Sequence, residues 1–347
     1  MSAGGLKLGL NTGYWAGGPP PGAVEAIAEA ERLGLDSIWT AEAYGSDGLT
    51  PLAWWGASTE RLKLGTAITQ MSARQPAATA MAAMTLDHLS GGRFILGLGV
   101  SGPQVVEGWY GMPFAKPLAR TREYIGILRD IWARQGPVTN DGPHYPLPLP
   151  GGTGLAKPLK ASIHPLREDI PIYLGAEGPK NIALSAELCD GWLAMLFSPH
   201  HEDHYRTSLE EGWAREGARR GHDDFEVAAS VPLIVTDDVE AAADSLRPMY
   251  ALYFGGMGAK GVNFHANVAI RMGYEREVDE IQDLYLSGKK DEAGARVPQE
   301  LIEQLALIGP ADKIRHDLEA WRESIVTTLL VTGEVETVRA AAELVLG

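Results

Sequence analysis

Apolar and polar residues along this chain follow two periods, which predicts short strands that alternate with helices. Eight runs are apolar enough to be buried strands, and apolar residues in most of the segments between them recur every three to four positions. The predicted strands are residues 6–11, 36–42, 62–69, 94–100, 170–176, 192–197, 225–235 and 327–332. The predicted helices are residues 22–33, 49–58, 76–89, 118–133, 180–189 and 335–346.

Residues 62–100 form the clearest unit of this pattern: a strand, a helix rich in alanine and methionine, and a second strand. A helical crossover of this kind joins parallel strands. Several of the predicted strands are continuous apolar runs, as expected of strands that are buried on both faces. Right-handed repetition of the unit until it closes on itself predicts a (β/α)8 barrel of the TIM type, with an open doubly wound sheet as the alternative.

Two segments do not fit the regular alternation, and we interpret both as insertions in a single barrel domain that spans residues 1–347. Residues 135–169 are rich in proline and glycine and are too long for a tight connection. Residues 238–324 are predominantly helical and too long for one crossover. We therefore expect them to form an insertion of several helices between the seventh and eighth strands.

The charge and composition of the chain narrow the classes of partner. Its formal net charge of −15 argues against a nucleic-acid-binding surface, which needs a basic face, and against binding to anionic membranes. No apolar run approaches the roughly 20 residues that cross a bilayer. The amino terminus lacks the features of a signal peptide, and Cys189 alone cannot form an internal disulfide. We therefore expect a cytoplasmic protein that acts on a small molecule.

The residues that follow the predicted strands are candidates for a site, because chemistry in a parallel barrel lies at the carboxyl ends of the strands. Four of seven such ends contain glycine, which permits close approach of a ligand to the backbone but also serves ordinary turns. The ends are residues 11–13, 42–44, 67–70, 99–102, 175–178, 198 and 332–333.

Two glycine-rich turns lead from a strand into a helix and are candidates for anion binding. In residues 99–104 a proline suits the first helical position, and three free amides beside it would face the barrel mouth. Those amides belong to Ser101, Gly102 and Gln104. A helix start of this kind binds phosphate or carboxylate without a lysine, and residues 175–181 repeat the arrangement. Ordinary helix capping is the alternative for each turn.

Glu42 is the candidate for proton transfer, because it ends the second predicted strand at the barrel mouth. A structural partner to an arginine or a backbone amide is the alternative. Residues 200–204, with the sequence HHEDH, place two histidines on one helix face, but the glutamate spacing of zinc proteases is absent and no further ligand is evident. We expect these residues to begin a solvated helix and expect no metal site.

Several motifs together resemble the luciferase-like flavin and deazaflavin oxidoreductases. They are LGTAITQ, TLDHLSGGR, LGLGVSGPQVVEGWYG with KPLARTREY, and GAEGPKNIALSAELCDGWL. Within that superfamily the chain is most similar to the branch that uses the deazaflavin coenzyme F420, which includes methylenetetrahydromethanopterin reductases. The similarity covers nearly the whole chain and is densest in residues 6–133 and 170–197.

The resemblance implies where a cofactor would bind. A strand bulge in residues 65–68 would back the deazaflavin ring, with a non-proline cis peptide joining Ala67 and Ile68. The two glycine-rich turns would receive the cofactor's phosphate and the part of the molecule next to it. The implied contacts are Asn11, Ala67, Ile68, Val100, Ser101, Gly102, Gln104, Ala176, Glu177 and Gly178.

The same resemblance bears on the reaction through two neighbouring positions. Relatives carry an acid where this chain has Glu42. The sugar-phosphate and alcohol dehydrogenases carry a catalytic histidine where this chain has Ala43. Because alanine cannot accept a hydroxyl proton, this departure argues against those two activities.

One leading hypothesis and two alternatives follow. The leading one is an F420-dependent oxidoreductase that delivers hydride from C5 of the reduced deazaflavin to an activated alkene, imine or carbonyl, with Glu42 as the acid-base residue. An FMN-dependent monooxygenase on the same scaffold is the first alternative. A flavin- or deazaflavin-binding protein without turnover is the second. Relatives are often dimers, which implies a homodimer.

Overall fold

Every apolar run that predicts a barrel strand overlaps a strand in the computed structural model, which describes residues 5–15, 17–258, 260–261 and 263–347. The strands are β1 (Lys7–Asn11), β2 (Ser37–Thr40), β3 (Lys63–Thr66), β4 (Thr69–Gln70), β5 (Phe94–Gly99), β6 (Ile172–Gly175), β7 (Gly191–Ala194), β8 (Glu226–Ser230), β9 (Leu233–Val235), β10 (Leu307–Gly309) and β11 (Thr328–Val331). Strands β2, β5, β7 and β11 are buried along their whole length, as expected when side chains on both faces leave water.

The strands form a closed barrel whose pairings are parallel. Among the described residues the neighbours follow the order β3, β2, β1, β11, β8, β7, β6, β5 and β4, and β3 also pairs with β5. This last pairing closes the ring, with β3 and β4 together serving as one barrel strand. The predicted (β/α)8 barrel is confirmed, and the open sheet is excluded.

Helices cover the outside of the barrel. They form in the segments of the chain where apolar residues recur with the helical period instead of the strand period. In the described part of the chain no helix is both long and apolar enough to cross a membrane. The helices are α1 (Ala23–Leu33), α2 (Leu49–Gly56), α3 (Pro76–Leu89), α4 (Pro103–Gly108), α5 (Pro117–Ala133), α6 (Pro179–Leu188), α7 (Asp203–Trp213), α8 (Val239–Ala251), α9 (Ala266–Arg271), α10 (Glu275–Leu286), α11 (Lys290–Ala295), α12 (Gln299–Leu305), α13 (Ala311–Glu323) and α14 (Val335–Leu346), with short helical turns at Met71–Ala73, Pro199–His201 and Leu252–Gly256.

Helices α8 to α13 lie between the seventh barrel strand, β8, and the eighth, β11. We call this segment the insertion. Buried apolar side chains of α8 to α12, among them Tyr250, Phe254 and Ile281, form a cluster of their own, whereas those of α13 belong to the main barrel core. Residues 225–235, predicted as one strand, are divided at Pro232, which has no N–H to give to a barrel neighbour. The second half, β9, instead pairs with β10, a short strand that the sequence pattern did not predict.

Residues 135–169 are an irregular segment that is fastened to the barrel at several points. Two isolated antiparallel bridges join parts of the segment to each other. Arg167 pairs with the fully buried carboxylate of Asp87 on α3, and Nη2 of Arg167 also donates to the Phe94 carbonyl at 2.7 Å. Nε of Arg134 donates to the Ala161 carbonyl at 2.9 Å. The length of the segment is therefore compatible with an ordered path across the surface.

Bulky side chains fill the interior of the barrel directly below its mouth. Trp39 and Tyr173 meet there with ring centroids 5.7 Å apart, and both are almost completely buried. A Cβ at Gly65 would lie 2.3 Å from the Trp39 ring, so the indole occupies the space that a side chain on β3 would need. The barrel is consequently a packed core that supports its mouth, and any ligand must bind above it.

Candidate active site at the mouth of the barrel

The third barrel strand is interrupted where it reaches the mouth. β3 ends at Thr66, β4 begins at Thr69, and the peptide bond between Ala67 and Ile68 is cis, as predicted. Beside the gap the Thr66 hydroxyl takes the place of ladder hydrogen bonds. Oγ1 donates to the Gly97 carbonyl at 2.8 Å and accepts from the Gly97 amide at 2.9 Å. The resulting bulge therefore stays attached to β5 through a side chain.

Glycines in the neighbouring strands make room for this bulge. A Cβ at Gly97 would lie 1.6 Å from the Thr66 carbonyl oxygen, and one at Gly99 would lie 2.6 Å from Cδ1 of Ile68. A Cβ at Gly175 would lie 3.0 Å from Cγ2 of the same isoleucine. Gly99 and Gly175 lie in strand ends where glycine is a sequence-based sign of close approach by a ligand, and the bulge gives both glycines a structural reason of their own.

Ala67 and Ile68 are partly exposed and pack on the side chains that fill the barrel, and we call these two residues the platform. Three buried polar atoms close to the platform in sequence have no hydrogen-bond partner in the structure: Thr69 Oγ1, Gln70 Oε1 and Ser72 Oγ. Buried polar atoms are normally paired, so these three lack the partner that such atoms usually have. An apolar platform with polar atoms near its edge suits a flat molecule whose faces are apolar and whose rim is polar.

Glu42 lies next to the bulge and is fully engaged by protein groups. It is 5% exposed, and its two carboxylate oxygens accept from Nη1 of Arg74 at 2.7 and 2.9 Å. Oε2 also accepts from the Gln70 amide at 2.8 Å, and the Glu42 amide donates to the Ile68 carbonyl at 3.1 Å. These contacts match the alternative to proton transfer, in which Glu42 is a structural partner to an arginine or a backbone amide. Glu42 connects the end of the second strand to the bulge of the third.

The first glycine-rich turn joins β5 to α4 and carries four of the predicted contacts. Ser101 has a φ of 57°, a left-handed conformation that residues other than glycine adopt less often. The Gly102 carbonyl begins α4 by accepting from the amides at positions 105 and 106, and Gln104 is exposed. Val100 is partly exposed at the end of the strand. The structure therefore brings these four residues to the mouth together.

The second glycine-rich turn joins β6 to α6 and is held from both sides. The Ala176 carbonyl accepts from Nε1 of Trp192 at 2.7 Å, and Gly178 begins α6. The carboxylate of Glu177 turns to the insertion, where Oε1 lies 2.6 Å from Nδ1 of His265. The Glu177 carbonyl accepts from Arg271 at 3.0 Å. The insertion is thus fixed to the end of the fifth barrel strand.

The loop after β1 contributes one predicted residue and one that the sequence pattern did not identify. Asn11 bends Oδ1 back to the Gly13 amide at 3.0 Å and so shapes the turn. Tyr14 is 51% exposed and lies close to Tyr253 of the insertion. Burial raises the pKa of Tyr253 well above its usual value, so this phenol keeps its proton at neutral pH. No motif in the sequence points to Tyr253 or His265, because both come from the segment without a recognisable pattern.

The opposite end of the barrel has a cavity of about 1120 Å³ at the amino ends of the strands. Charged side chains that line it pair with one another: Lys7 binds Glu226 at 2.6 Å, and Lys63 binds Asp36 at 2.9 Å. None of the predicted site residues lies there. Residues at the amino ends of the strands in parallel barrels serve stability. We therefore place the active site at the mouth, although the cavity at the amino ends has a large volume.

Sites at the strand ends of a closed parallel barrel are typical of enzymes, and comparison with known proteins gives the class. The model of the luciferase-like monooxygenase family matches residues 7–328. The chain belongs to this family and is an oxidoreductase.

Two relatives show how far the likeness extends along the chain. Rv3520c of Mycobacterium tuberculosis, which carries the name of a coenzyme F420-dependent oxidoreductase, is 57% identical over 98% of this chain and 99% of its own. The 5,10-methylenetetrahydromethanopterin reductase of Archaeoglobus fulgidus is 27% identical over 87% of this chain and 86% of its own.

Solved structures share the fold at lower sequence identity. The coenzyme F420-dependent tetrahydromethanopterin reductase of Methanopyrus kandleri superposes with a TM-score of 0.81 at 23% identity, over 99% of each chain. An F420-dependent secondary alcohol dehydrogenase, in complex with an F420-acetone adduct, superposes with a TM-score of 0.77 at 18% identity, over 99% of this chain and 98% of its own. These likenesses establish the barrel architecture.

Proposed function

We propose that this protein binds coenzyme F420 across the barrel mouth and transfers hydride between C5 of the deazaflavin and an electrophilic carbon of a small organic substrate. The observation that carries the proposal is the platform of Ala67 and Ile68 with unpartnered buried polar atoms near it. The 57% identity to a relative named for this cofactor supports the choice of F420. When bound, the coenzyme supplies the hydride chemistry, and the protein supplies position, electrostatics and exclusion of water.

The platform fits a tricyclic ring for a physical reason. Ile68 cannot sink into the barrel, because side chains such as Trp39 and Tyr173 already fill it. Its apolar side chain therefore remains partly exposed at the mouth, where one face of a ring would cover it. Near that face, Thr69 Oγ1 and Gln70 Oε1 would pair with the polar edge of the ring instead of remaining unsatisfied.

The glycine-rich turns are proposed to hold the anionic part of the cofactor. The turn with Ser101 and Gly102 presents backbone amides at a helix start, and the turn with Ala176 and Gly178 does so at α6. Asn11 shapes the neighbouring loop rather than presenting a free Oδ1. For Glu42 the contacts support a bracing role, in which its carboxylate and Arg74 hold the bulge under the ring.

Titration of the purified apoprotein, followed by fluorescence, tests the choice of cofactor. We expect F420 to bind at micromolar concentration or tighter and FMN to bind at least about tenfold more weakly, a difference of roughly 1.4 kcal/mol. Equal or tighter binding of FMN would favour the monooxygenase alternative. Binding of F420 without turnover of any electron acceptor would favour a carrier protein.

A matched pair of glycine substitutions tests the first turn. Gly102→Leu should weaken F420 binding, because the new side chain stands where the phosphate would approach the amides. Gly108→Leu, six positions along and with nothing near its Cβ position, should leave the affinity unchanged. Equal affinities of both variants and the wild type would reduce the turn to a helix cap. Unfolding curves of the two variants serve as the control for fold.

We also propose that the chain forms a homodimer through an apolar face of α2 and α3. These helices contact each other, and Trp54 and Met81 on them are 78% and 59% exposed. Exposed apolar side chains on adjoining elements are typical of protein interfaces. Light scattering should give a dimer mass for the wild type and a monomer mass for Trp54→Asp. Trp109→Asp, which replaces another exposed tryptophan, should remain a dimer.

A further inference from the structure

The insertion brings one histidine to the barrel mouth, where it meets a carboxylate at the end of a barrel strand. Nδ1 of His265 lies 2.6 Å from Oε1 of Glu177, although the two residues are 88 positions apart. The side chains are 23% and 12% exposed, so the pair is largely shielded from solvent without being closed off. Because a carboxylate accepts hydrogen bonds, the contact assigns the proton of a neutral His265 to Nδ1.

The surroundings of the histidine hold its ring in one orientation. The Tyr253 ring meets it edge to face, with centroids 4.9 Å apart. The Asn263 side chain accepts from the His265 amide at 3.0 Å and donates to the carbonyls of Tyr253 and Phe254 at 2.7 and 2.9 Å. Asn263 therefore connects the helical turn to the histidine. Among the described residues no hydrogen bond to Nε2 of His265 is present, so this nitrogen is the one left for a ligand.

Hydride transfer to a carbonyl, imine or activated alkene also requires a group that donates a proton to the substrate. Glu42 is a poor candidate for this role, because Arg74 and the Gln70 amide occupy its oxygens. The next residue, Ala43, carries no ionisable group. On the other side of the mouth, His265 has a free nitrogen and a carboxylate that orients it.

We propose that His265 exchanges the substrate's proton through Nε2 and that Glu177 is its positioning residue. This inference rests on the proposed function. In the reducing direction hydride adds to the carbon of the polarised double bond, and the displaced electron pair goes to the far atom of that bond. That atom takes the proton from Nε2 of the imidazolium, which leaves a neutral ring with its proton on Nδ1. Solvent then restores the proton on Nε2.

The groups that face His265 come from three elements. Glu177 approaches from the end of β6, Tyr253 from the helical turn at Leu252–Gly256, and Arg271 from α9 through its bond to the Glu177 carbonyl. Tyr14, on the loop after β1, lies close to Tyr253. The carboxylate is the one group among them that contacts an imidazole nitrogen by a hydrogen bond in the described residues.

Nitrogen NMR of the apoprotein tests the pair of His265 and Glu177, which we call the dyad, without any substrate. The His265 signal, assigned by its loss in His265→Gln, should show the tautomer with the proton on Nδ1 when the ring is neutral. Glu177→Gln should abolish that preference, since the amide can donate as well as accept. A proton on Nε2 in the neutral wild type, or identical spectra of the wild type and Glu177→Gln, would overturn the assignment.

Rapid mixing with reduced F420 tests the chemical role, with acetone, 1-pyrroline and 2-cyclohexen-1-one as the probes. His265→Gln should lower the rate of cofactor oxidation by about 10²-fold, in the usual range for general acid catalysis, with F420 affinity unchanged. His316→Gln, an exposed histidine on α13, should change neither. An undiminished rate in His265→Gln would refute the role. Failure of the wild type to oxidise the reduced cofactor with any probe would count against the proposed function, and the tautomer measurement would then decide the dyad by itself.

Discussion

Two carboxylates lie at the mouth of this barrel, and their partners give them different properties. Glu42 is paired with Arg74 and with the bulge that follows β3, all within residues 42–74 of the barrel. Glu177 is paired with His265, which belongs to the insertion. An arginine keeps its charge in every condition that the protein survives, whereas a histidine can donate and accept a proton through its ring nitrogens. The first pair is therefore suited to bracing and the second to proton transfer.

The comparison shows that a carboxylate at a strand end does not reveal its role by position alone. Both glutamates follow barrel strands in sequence, and both are largely buried. What differs is whether the partner comes from the barrel or from the inserted helices. We call Glu42, Arg74 and the bulge the barrel side, and we call Glu177, its turn and the insertion the insertion side. We expect substitutions on the barrel side to cost much stability. We expect those on the insertion side to cost little and the stability there to depend on pH.

The largest effect is expected from Gly97→Ala beside the bulge. The added Cβ would lie 1.6 Å from the Thr66 carbonyl oxygen, so the strands must separate. We expect a loss of at least about 3 kcal/mol in the free energy of unfolding, measured with urea. Gly178→Ala on the insertion side is the matched control. Nothing lies near its Cβ position, and we expect a loss below about 1 kcal/mol. Similar losses in the two variants would refute the proposed difference in rigidity.

The next effect concerns the two ion pairs directly. Arg74→Met leaves Glu42 buried without its charged partner, which should cost about 3 kcal/mol of unfolding free energy. His265→Gln removes a partner from Glu177 but supplies an amide donor at a site with some solvent access, and should cost less than about 1 kcal/mol. Urea unfolding at neutral pH measures both. A larger loss in His265→Gln than in Arg74→Met would reverse the comparison.

The smallest effect is a pH dependence at His204, which lies on barrel helix α7 and is influenced by the charge of Arg271 in the insertion. Burial, followed by the charge of Arg271, lowers the pKa of His204 to about 4 from 6.5. The unfolded chain therefore binds a proton at this residue that the folded chain refuses, and stability falls as the pH drops from 6.5 towards 4. Because the ring is partly open to solvent, we expect about 1 kcal/mol in total.

The difference between the wild type and His204→Asn isolates this contribution from that of the carboxyl groups. Unfolding free energies of both proteins, measured in steps across the same pH range, should diverge as the pH falls, with the wild type losing more. Parallel curves would mean that His204 titrates in the folded protein as it does in the unfolded chain.

The barrel could be predicted from the sequence because its signal is local. Each strand is an apolar run, each outer helix has its own period, and the order of the elements permits few topologies. The bulge at Ala67 and Ile68 was also predictable, through a motif that resembles a known family. The division of residues 225–235 at Pro232 was missed, since the apolar run continues across the proline while the partner of its second half lies some seventy residues away.

The sequence by itself thus determined the fold class, the position of the mouth and the residue types that surround it. Tertiary structure decided which of these side chains are occupied by protein partners and which can contact a ligand. Glu42 has an arginine partner 32 positions away, and the partner of Glu177 comes from 88 positions away in a segment without a recognisable motif. Hydrogen-bond partners at such separations are brought together by the packing of distant elements. No local pattern in the sequence predicts that packing.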